Sequence, residues 1–146
     1  MPALNRRRLL LVAASLAAGP VAALAATPSV QDEMKRLFGD KAAAPGRIAL
    51  DIPAIAENGF VVPLGVEVAS AMTADDYVEA VHVFADGNPN PMVGSFFFTP
   101  ASGKAAFQTR MRLAQGQNII VVAQMSDGRL ISAQMQVKVT VGGCGG

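Results

Sequence analysis

Residues 118–141 read NIIVVAQMSDGRLISAQMQVKVTV, two strand-like runs separated by a turn signal. The first run, 118–125, is almost wholly apolar, which is typical of a central strand that is buried on both faces. In the second run, 129–141, apolar and polar residues alternate, which indicates a strand with one buried face. Asp127-Gly128 predicts a two-residue hairpin turn of type I′. The stretch therefore predicts a long antiparallel pair of strands.

Five further strand-like runs precede this pair, at 47–52, 60–68, 77–85, 93–100 and 104–113. Turn formers separate them, most clearly DGNPNP at 86–91. Pro63 cannot donate to a strand ladder, so its strand is expected at an edge or with an interrupted pairing. Six to seven closely spaced strands predict an all-β fold, an antiparallel β-sandwich of immunoglobulin-like type.

One short helix is predicted ahead of the strands, within PSVQDEMKRLFGD at 28–40. Ser29 is a suitable N-cap and Gly39 a suitable terminator. The apolar residues recur at helical spacing on one face: Val30, Met34, Leu37 and Phe38.

The first 25 residues have the layout of an export signal. Arg6, Arg7 and Arg8 precede a short apolar run, and Ala23-Leu24-Ala25 offers a cleavage site. The order NRRRLL resembles a twin-arginine signal. We therefore expect export to the periplasm without a membrane anchor. The predicted organisation is a signal peptide at 1–25, a helix and linker at 26–46, a sandwich domain at 47–141 and an arm at 142–146.

The charge balance argues against a nucleic-acid partner. The formal net charge of the chain is +1. Loss of the three signal arginines leaves nine basic and eleven acidic residues, a net charge of about −2. No basic run interleaves with aromatic residues, so nucleic acid is not expected as a partner.

Candidate catalytic residues are few, because the chain has one histidine, His82, and one cysteine, Cys144. That pair is too small for a usual zinc site or a blue-copper site, so no metal and no cofactor are predicted. His82 is interpreted as a strand residue on a half-exposed face, with a role as a base for Cys144 as the alternative. The run SFFF at 95–98 fits either a fully buried strand or a partner-binding surface.

The tail VTVGGCGG, 139–146, places Cys144 between two glycine pairs. The predicted flexible arm consists of Gly142, Gly143, Gly145 and Gly146 around this thiol. Five residues beyond Val141 reach roughly 15 Å when extended. The tail offers no cation or base to activate the thiol, which suits an attachment point better than a catalyst.

This tail, with HVFADGNPNP at 82–91, SFFFTPASGKA at 95–105 and AQMSDGRLISAQMQVKVT at 123–140, resembles the SoxY family. Those proteins are sulfur-carrying subunits of the periplasmic thiosulfate-oxidising (Sox) system. The resemblance implies that Cys144 is the substrate attachment site and that no residue is catalytic. It implies a heterodimer with a SoxZ-like β-sandwich subunit.

The resemblance also implies transient enzyme partners. A SoxAX-type haem enzyme would join thiosulfate to Cys144, a SoxB-type hydrolase would release sulfate, and a SoxCD-type sulfane dehydrogenase would oxidise the remaining sulfur. The chain would then be a carrier of sulfur intermediates and not an enzyme.

Two other functions are left open by the residues. One is an exported structural module whose Cys144 forms intermolecular disulfides. The other is a thiol enzyme that pairs Cys144 with His82.

Overall fold

The computed structural model describes residues 26–143, so the predicted signal peptide at 1–25 lies outside the described residues. One helix and nine strands follow in chain order: α1 Val30–Phe38, β1 Ala44–Pro45, β2 Ile48–Asp51, β3 Ile55–Asn58, β4 Val62–Val68, β5 Val78–Ala85, β6 Met92–Phe97, β7 Ala105–Met111, β8 Gln117–Met125 and β9 Leu130–Val141. A short 3₁₀ turn covers Pro100–Ser102. No helix among residues 26–143 is long and apolar enough to span a bilayer.

The strands form two sheets, which confirms the predicted all-β, immunoglobulin-like sandwich. The larger sheet has the order β1-β9-β8-β5-β6, and β3 also pairs with β9. The smaller sheet has the order β2-β4-β7. Two short strands, β1 and β3, were not predicted, and both lie parallel to β9 along one side of it.

Strand β8 occupies the buried central position that its apolar sequence predicts. It pairs with β9 from Gln117 to Gln124 and with β5 on its other side. Ile119, Val121 and Ala123 belong to the core between the sheets, whereas Val122 packs in a second core under the helix. An apolar layer on each face explains why β8 does not alternate.

The turn between β8 and β9 differs from the predicted type I′ turn. Met125 N–H donates to the Arg129 carbonyl and Gly128 N–H donates to the Met125 carbonyl, each at 2.9 Å. Three residues therefore form the loop, and Gly128 has a φ of +84°. Among the described residues only Met72 combines a side chain with positive φ, so Asp127 lacks the conformation that type I′ requires. Asp127 instead accepts a hydrogen bond from Arg129 N–H, in keeping with a type I turn closed by a left-handed glycine.

Strand β4 is the centre of the smaller sheet, so the edge-strand alternative for Pro63 is wrong and the interrupted pairing is confirmed. Strand β2 pairs with β4 only from Gly65 to Val68. Pro63 pairs with Arg110 of β7 on the other side alone. The missing proline donor is therefore placed where β2 offers no acceptor.

Helix α1 begins and ends where the sequence predicts. Ser29 and Asp32 form a reciprocal capping box, and Gly39 ends the helix with a φ of +65°. Val30 and Phe38 are buried against the larger sheet, in contact with a cluster of Phe84, Val122 and Leu130. The predicted helix face is therefore the face that packs.

His82 is buried by this helix, with 4% of its surface exposed, so the predicted half-exposed face is wrong. Its ring meets the Phe38 ring edge-on at 5.1 Å between centroids, and Nδ1 lies 2.8 Å from Ser95 Oγ. The alternation in β5 predicts the correct face for His82, but a helix distant in sequence covers that face. Desolvation by this burial lowers the pKa of His82 below its ordinary value near 6.5.

The aromatic run at 95–98 combines parts of both interpretations. Phe96 stacks on Phe107 with 3.7 Å between ring centroids. Phe97 points outward from the edge strand β6 and is 78% exposed. The strand is therefore neither fully buried nor a continuous apolar surface.

We predict that His82 makes stability depend on pH. Because its pKa is lower in the folded chain than in the unfolded chain, the unfolded chain binds the proton more readily. The free energy of unfolding should therefore fall as the pH drops below about 6.5. His82→Gln should be less stable at pH 7 by about 1–3 kcal/mol, with a flatter pH dependence.

Urea denaturation at several pH values between about 5 and 7 measures how steeply the free energy of unfolding changes with pH in the wild type and in His82→Gln. His82 is the chain's single histidine, so few other groups titrate in this interval. Identical slopes for the two proteins would contradict the assignment.

Candidate attachment site and the root of the arm

The predicted attachment residue follows directly on the part of the chain that the structure describes. Cys144, Gly145 and Gly146 lie outside the described residues, whereas Gly142 and Gly143 lie inside them. Strand β9 ends at Val141. The structure therefore describes the two residues that connect β9 to Cys144, Gly142 and Gly143, which we call the root of the arm.

Backbone hydrogen bonds hold this root against two neighbouring segments. Gly143 N–H donates to the Leu113 carbonyl at 2.9 Å, and Gly59 N–H donates to the Val141 carbonyl at 2.8 Å. Leu113 N–H in turn donates to the Gly59 carbonyl at 2.8 Å. We call the backbone of Gly59, Leu113 and Ala114 the seat. It holds the chain after β9 in a defined position, and Gly143 is buried in it.

Close packing in the seat requires glycine on both sides. A Cβ at Gly143 would lie 2.8 Å from the Gly59 carbonyl oxygen. A Cβ at Gly59 would lie 2.7 Å from Gly143 N and still closer to the Leu113 oxygen, and one at Gly142 would overlap the Ala114 oxygen. Heavy atoms do not approach so closely without displacement of the backbone, so a side chain at any of these positions would move the root.

The seat gives the glycines a second role beside the predicted flexibility. That all of 142–146 move freely stays a prediction, but Gly142 and Gly143 have specific contacts in this structure. With Gly143 seated, Cys144 is one residue, about 3.8 Å between Cα atoms, from a fixed point, instead of three residues from Val141. Sequence reasoning missed Gly59, although the pair Asn58-Gly59 is a recognisable turn signal.

A buried amide network supports the seat from behind. Asn88 Nδ2 donates to the Arg112 carbonyl at 2.8 Å, and Asn88 Oδ1 accepts from Ala114 N–H at 2.9 Å. Gln117 Nε2 donates to the same Oδ1 at 3.0 Å. Both side chains are buried, so these bonds restrain the segment that carries Leu113. In the sequence, Asn88 is recognisable only as one of the turn formers at 86–91.

The structure separates His82 from the arm. His82 lies opposite Val122 on β8, which lies opposite Ser132 on β9. Nine residues of β9, about 30 Å, separate Ser132 from Val141. Cys144 is only one residue beyond Gly143, a step much shorter than this distance, and His82 is covered by α1. The hypothesis of a Cys144–His82 thiol enzyme therefore loses its geometric basis within one molecule.

No group of three or more potential metal ligands occurs within residues 26–143. What the described part of the chain provides at the root is an anchored backbone. This arrangement can present a group that follows Gly143 to another molecule.

Comparison with known proteins agrees with the resemblance noted from the sequence. The family model described as sulfur oxidation protein SoxY matches residues 34–144. The structure of the sulfur carrier protein SoxY from Chlorobium limicola f thiosulfatophilum is similar, with a TM-score of 0.66 and 32% identity. That match covers 77% of this chain and 97% of the Chlorobium chain. No curated protein sequence matches the chain.

Superoxide reductases share the fold alone. One structure of the neelaredoxin from Ignicoccus hospitalis has a TM-score of 0.58 at 15% identity, covering 66% of this chain and 82% of its own. A putative superoxide reductase from Thermotoga maritima has a TM-score of 0.53 at 17% identity, with coverage of 63% and 84%.

The SoxY family model and the Chlorobium SoxY structure both extend over most of this chain, and the superoxide reductases match only its fold. The chain belongs to the SoxY family of sulfur oxidation proteins.

Proposed function

We propose that this chain is a covalent carrier of sulfur intermediates in periplasmic thiosulfate oxidation, with Cys144 as the attachment site. The observation that carries the proposal is the placement of the chain's single cysteine directly after the seated Gly143. Membership of the SoxY family supports the same role. The body of the protein positions the thiol, and partner enzymes carry out the chemistry.

Loading is an oxidation at sulfur. The Cys144 thiol and thiosulfate join through a new S–S bond, one proton is released and two electrons pass to a haem-containing SoxAX-type enzyme. The product is a cysteine S-thiosulfonate, Cys–S–S–SO₃⁻. In this step the chain supplies the thiol, and the enzyme supplies the oxidant.

Hydrolysis then shortens the bound group. At a SoxB-type hydrolase, water attacks the terminal sulfonate sulfur, and the bond between this sulfur and the neighbouring sulfur breaks. Sulfate and two protons are released. A persulfide, Cys–S–S⁻, stays on Cys144 for oxidation by a SoxCD-type sulfane dehydrogenase. The group remains covalently bound between enzymes, as in other carrier arms.

The stable partner in this proposal is a SoxZ-like β-sandwich subunit that forms a heterodimer with the chain. Export through the twin-arginine pathway to the periplasm is part of the same proposal, supported by the sequence NRRRLL and the small residues at 23–25. The domain division at residues 25, 46 and 141 likewise stays a prediction.

Cys144→Ser should abolish thiosulfate turnover in a reconstituted system of purified partner enzymes, because no thiol remains to be conjugated. Circular dichroism and size-exclusion chromatography should show an unchanged fold and partner complex. Thiosulfate-dependent haem reduction measures turnover. His82→Gln is the matched control and should retain turnover, whereas a thiol enzyme would lose it in both variants.

The same wild-type and Cys144→Ser proteins also distinguish the carrier from the alternative, a structural module that forms intermolecular disulfides. It predicts a dimer that reduction dissociates and no loss of thiosulfate turnover in Cys144→Ser. Turnover by that variant at the wild-type rate would overturn the carrier proposal.

Gly59→Ala should misplace the arm, because the added Cβ collides with Leu113 and Gly143 backbone atoms. We expect the free energy of unfolding to fall by about 1–3 kcal/mol. We also expect turnover to fall about ten-fold or more, since small displacements of a reacting group are costly. Gly116→Ala is the control, because its added Cβ would lie 3.4 Å from the nearest atom. Equal turnover by the two variants would show that the seat does not position Cys144.

A further inference from the structure

Exposed apolar residues lie in the segments that form the root of the arm. Five large hydrophobic residues are exposed in the described chain: Ile55 at 63%, Phe60 at 42%, Val61 at 58%, Phe97 at 78% and Val141 at 58%. Three of them, Phe60, Val61 and Val141, adjoin the seat, and we call these three the rim. Scattered apolar residues on a surface are ordinary, but a group of them beside a proposed functional residue is informative.

The rim is built into the same hydrogen-bonded segments as the seat. Val141 accepts from Gly59 N–H, and Phe60 and Val61 follow Gly59 in sequence. Phe60 N–H donates to Asn58 Oδ1 at 2.9 Å, which fixes the turn that carries both residues. A Cβ at Gly143 would lie 3.1 Å from Phe60 N, so the backbone of the rim touches the root directly.

The covalent distance from the root to the thiol is short. Cys144 is the residue after Gly143, and consecutive Cα atoms are about 3.8 Å apart. With Gly143 seated, the sulfur can be only a few ångströms further away than that. An enzyme that brings reactive groups to this sulfur must therefore bring the walls of its active site close to the rim.

We propose that the rim is the docking surface for the active-site entrance of enzymes that form or cleave bonds at the Cys144 sulfur. This inference rests on the proposed function. The rim side chains carry no charge, so the matching entrance should be lined by aliphatic or aromatic side chains. Three side chains make a small contact, which fits a carrier that must dissociate after each step.

The rim also explains how one carrier could serve several enzymes. Recognition through a few apolar side chains close to the thiol does not depend on which sulfur group is attached. An enzyme needs only an apolar entrance of the right width to accept the loaded or the unloaded carrier. Selectivity for the bound group would then lie inside each active site.

Phe60→Gln and Phe97→Gln form a matched pair that tests this surface. Both replace an exposed phenylalanine, but Phe97 pairs with Ala80 on the far edge of the sheet, three strands from β9. The assay is thiosulfate loading by the purified haem-containing enzyme, with the complete carrier and its partner subunit. Phe60→Gln should raise the KM for the carrier about ten-fold with little change in kcat. Phe97→Gln should stay within about two-fold of the wild type.

A small disulfide reagent that needs no docking surface provides the second readout. Its reaction rate with Cys144 should be the same in the wild type and both variants. Val61→Thr, which preserves shape and replaces a methyl group with a hydroxyl, should also raise the KM. Agreement of these results supports the rim as the docking surface.

Several outcomes would overturn the inference. Equal KM values for Phe60→Gln and Phe97→Gln would do so, as would a Phe60→Gln defect equally large with the small reagent. Release of the partner subunit, or loss of a self-associated form, by Phe60→Gln would assign the rim to that contact instead. A wild-type carrier that is never loaded refutes the proposed function, whereas loading that ignores the rim refutes this inference alone.

Discussion

The pairing of β8 with β9 is the constraint on which the position of the candidate site depends. Strand β8 is buried on both faces, between the smaller sheet and α1, and pairs with β9 from Gln117↔Val137 to Gln124↔Leu130. The other side of β9 is held by β1 and β3. The chain therefore leaves β9 at Val141 from a fixed point, and the seat extends this order through Gly143. A carrier needs such a fixed point, because an enzyme must find the same thiol in the same place at each step.

Much of the fold was predictable because its signals are local. Capping by Ser29, the apolar face of α1 and the two-faced burial of β8 follow from short patterns, and the structure confirms each one. The turn at Asp127-Gly128 was predicted in the right place with the wrong type, because the same dipeptide suits both a type I′ turn and a three-residue loop. The hydrogen bond from Arg129 N–H to the Asp127 carboxylate accompanies the three-residue loop.

The features that sequence reasoning missed depend on contacts between distant segments. His82 lies on the face that its alternation predicts, but its burial is decided by α1, some forty residues earlier. Gly59 has no signal beyond a turn, and its close approach to Leu113 and Gly143 exists only in the folded chain. The same holds for Asn88, whose side chain restrains the segment behind the seat. Cys144 could be singled out from the sequence alone, because it is the single cysteine and stands between glycine pairs.

The mass of the C-terminal peptide, isolated under non-reducing conditions from cells grown on thiosulfate, tests whether Cys144 carries sulfur groups in the cell. We expect thiosulfate- and sulfane-derived adducts on Cys144 that a thiol reductant removes, with the other residues of this peptide unmodified. A Cys144 that is unmodified and fully alkylatable in every growth condition would contradict the proposed function.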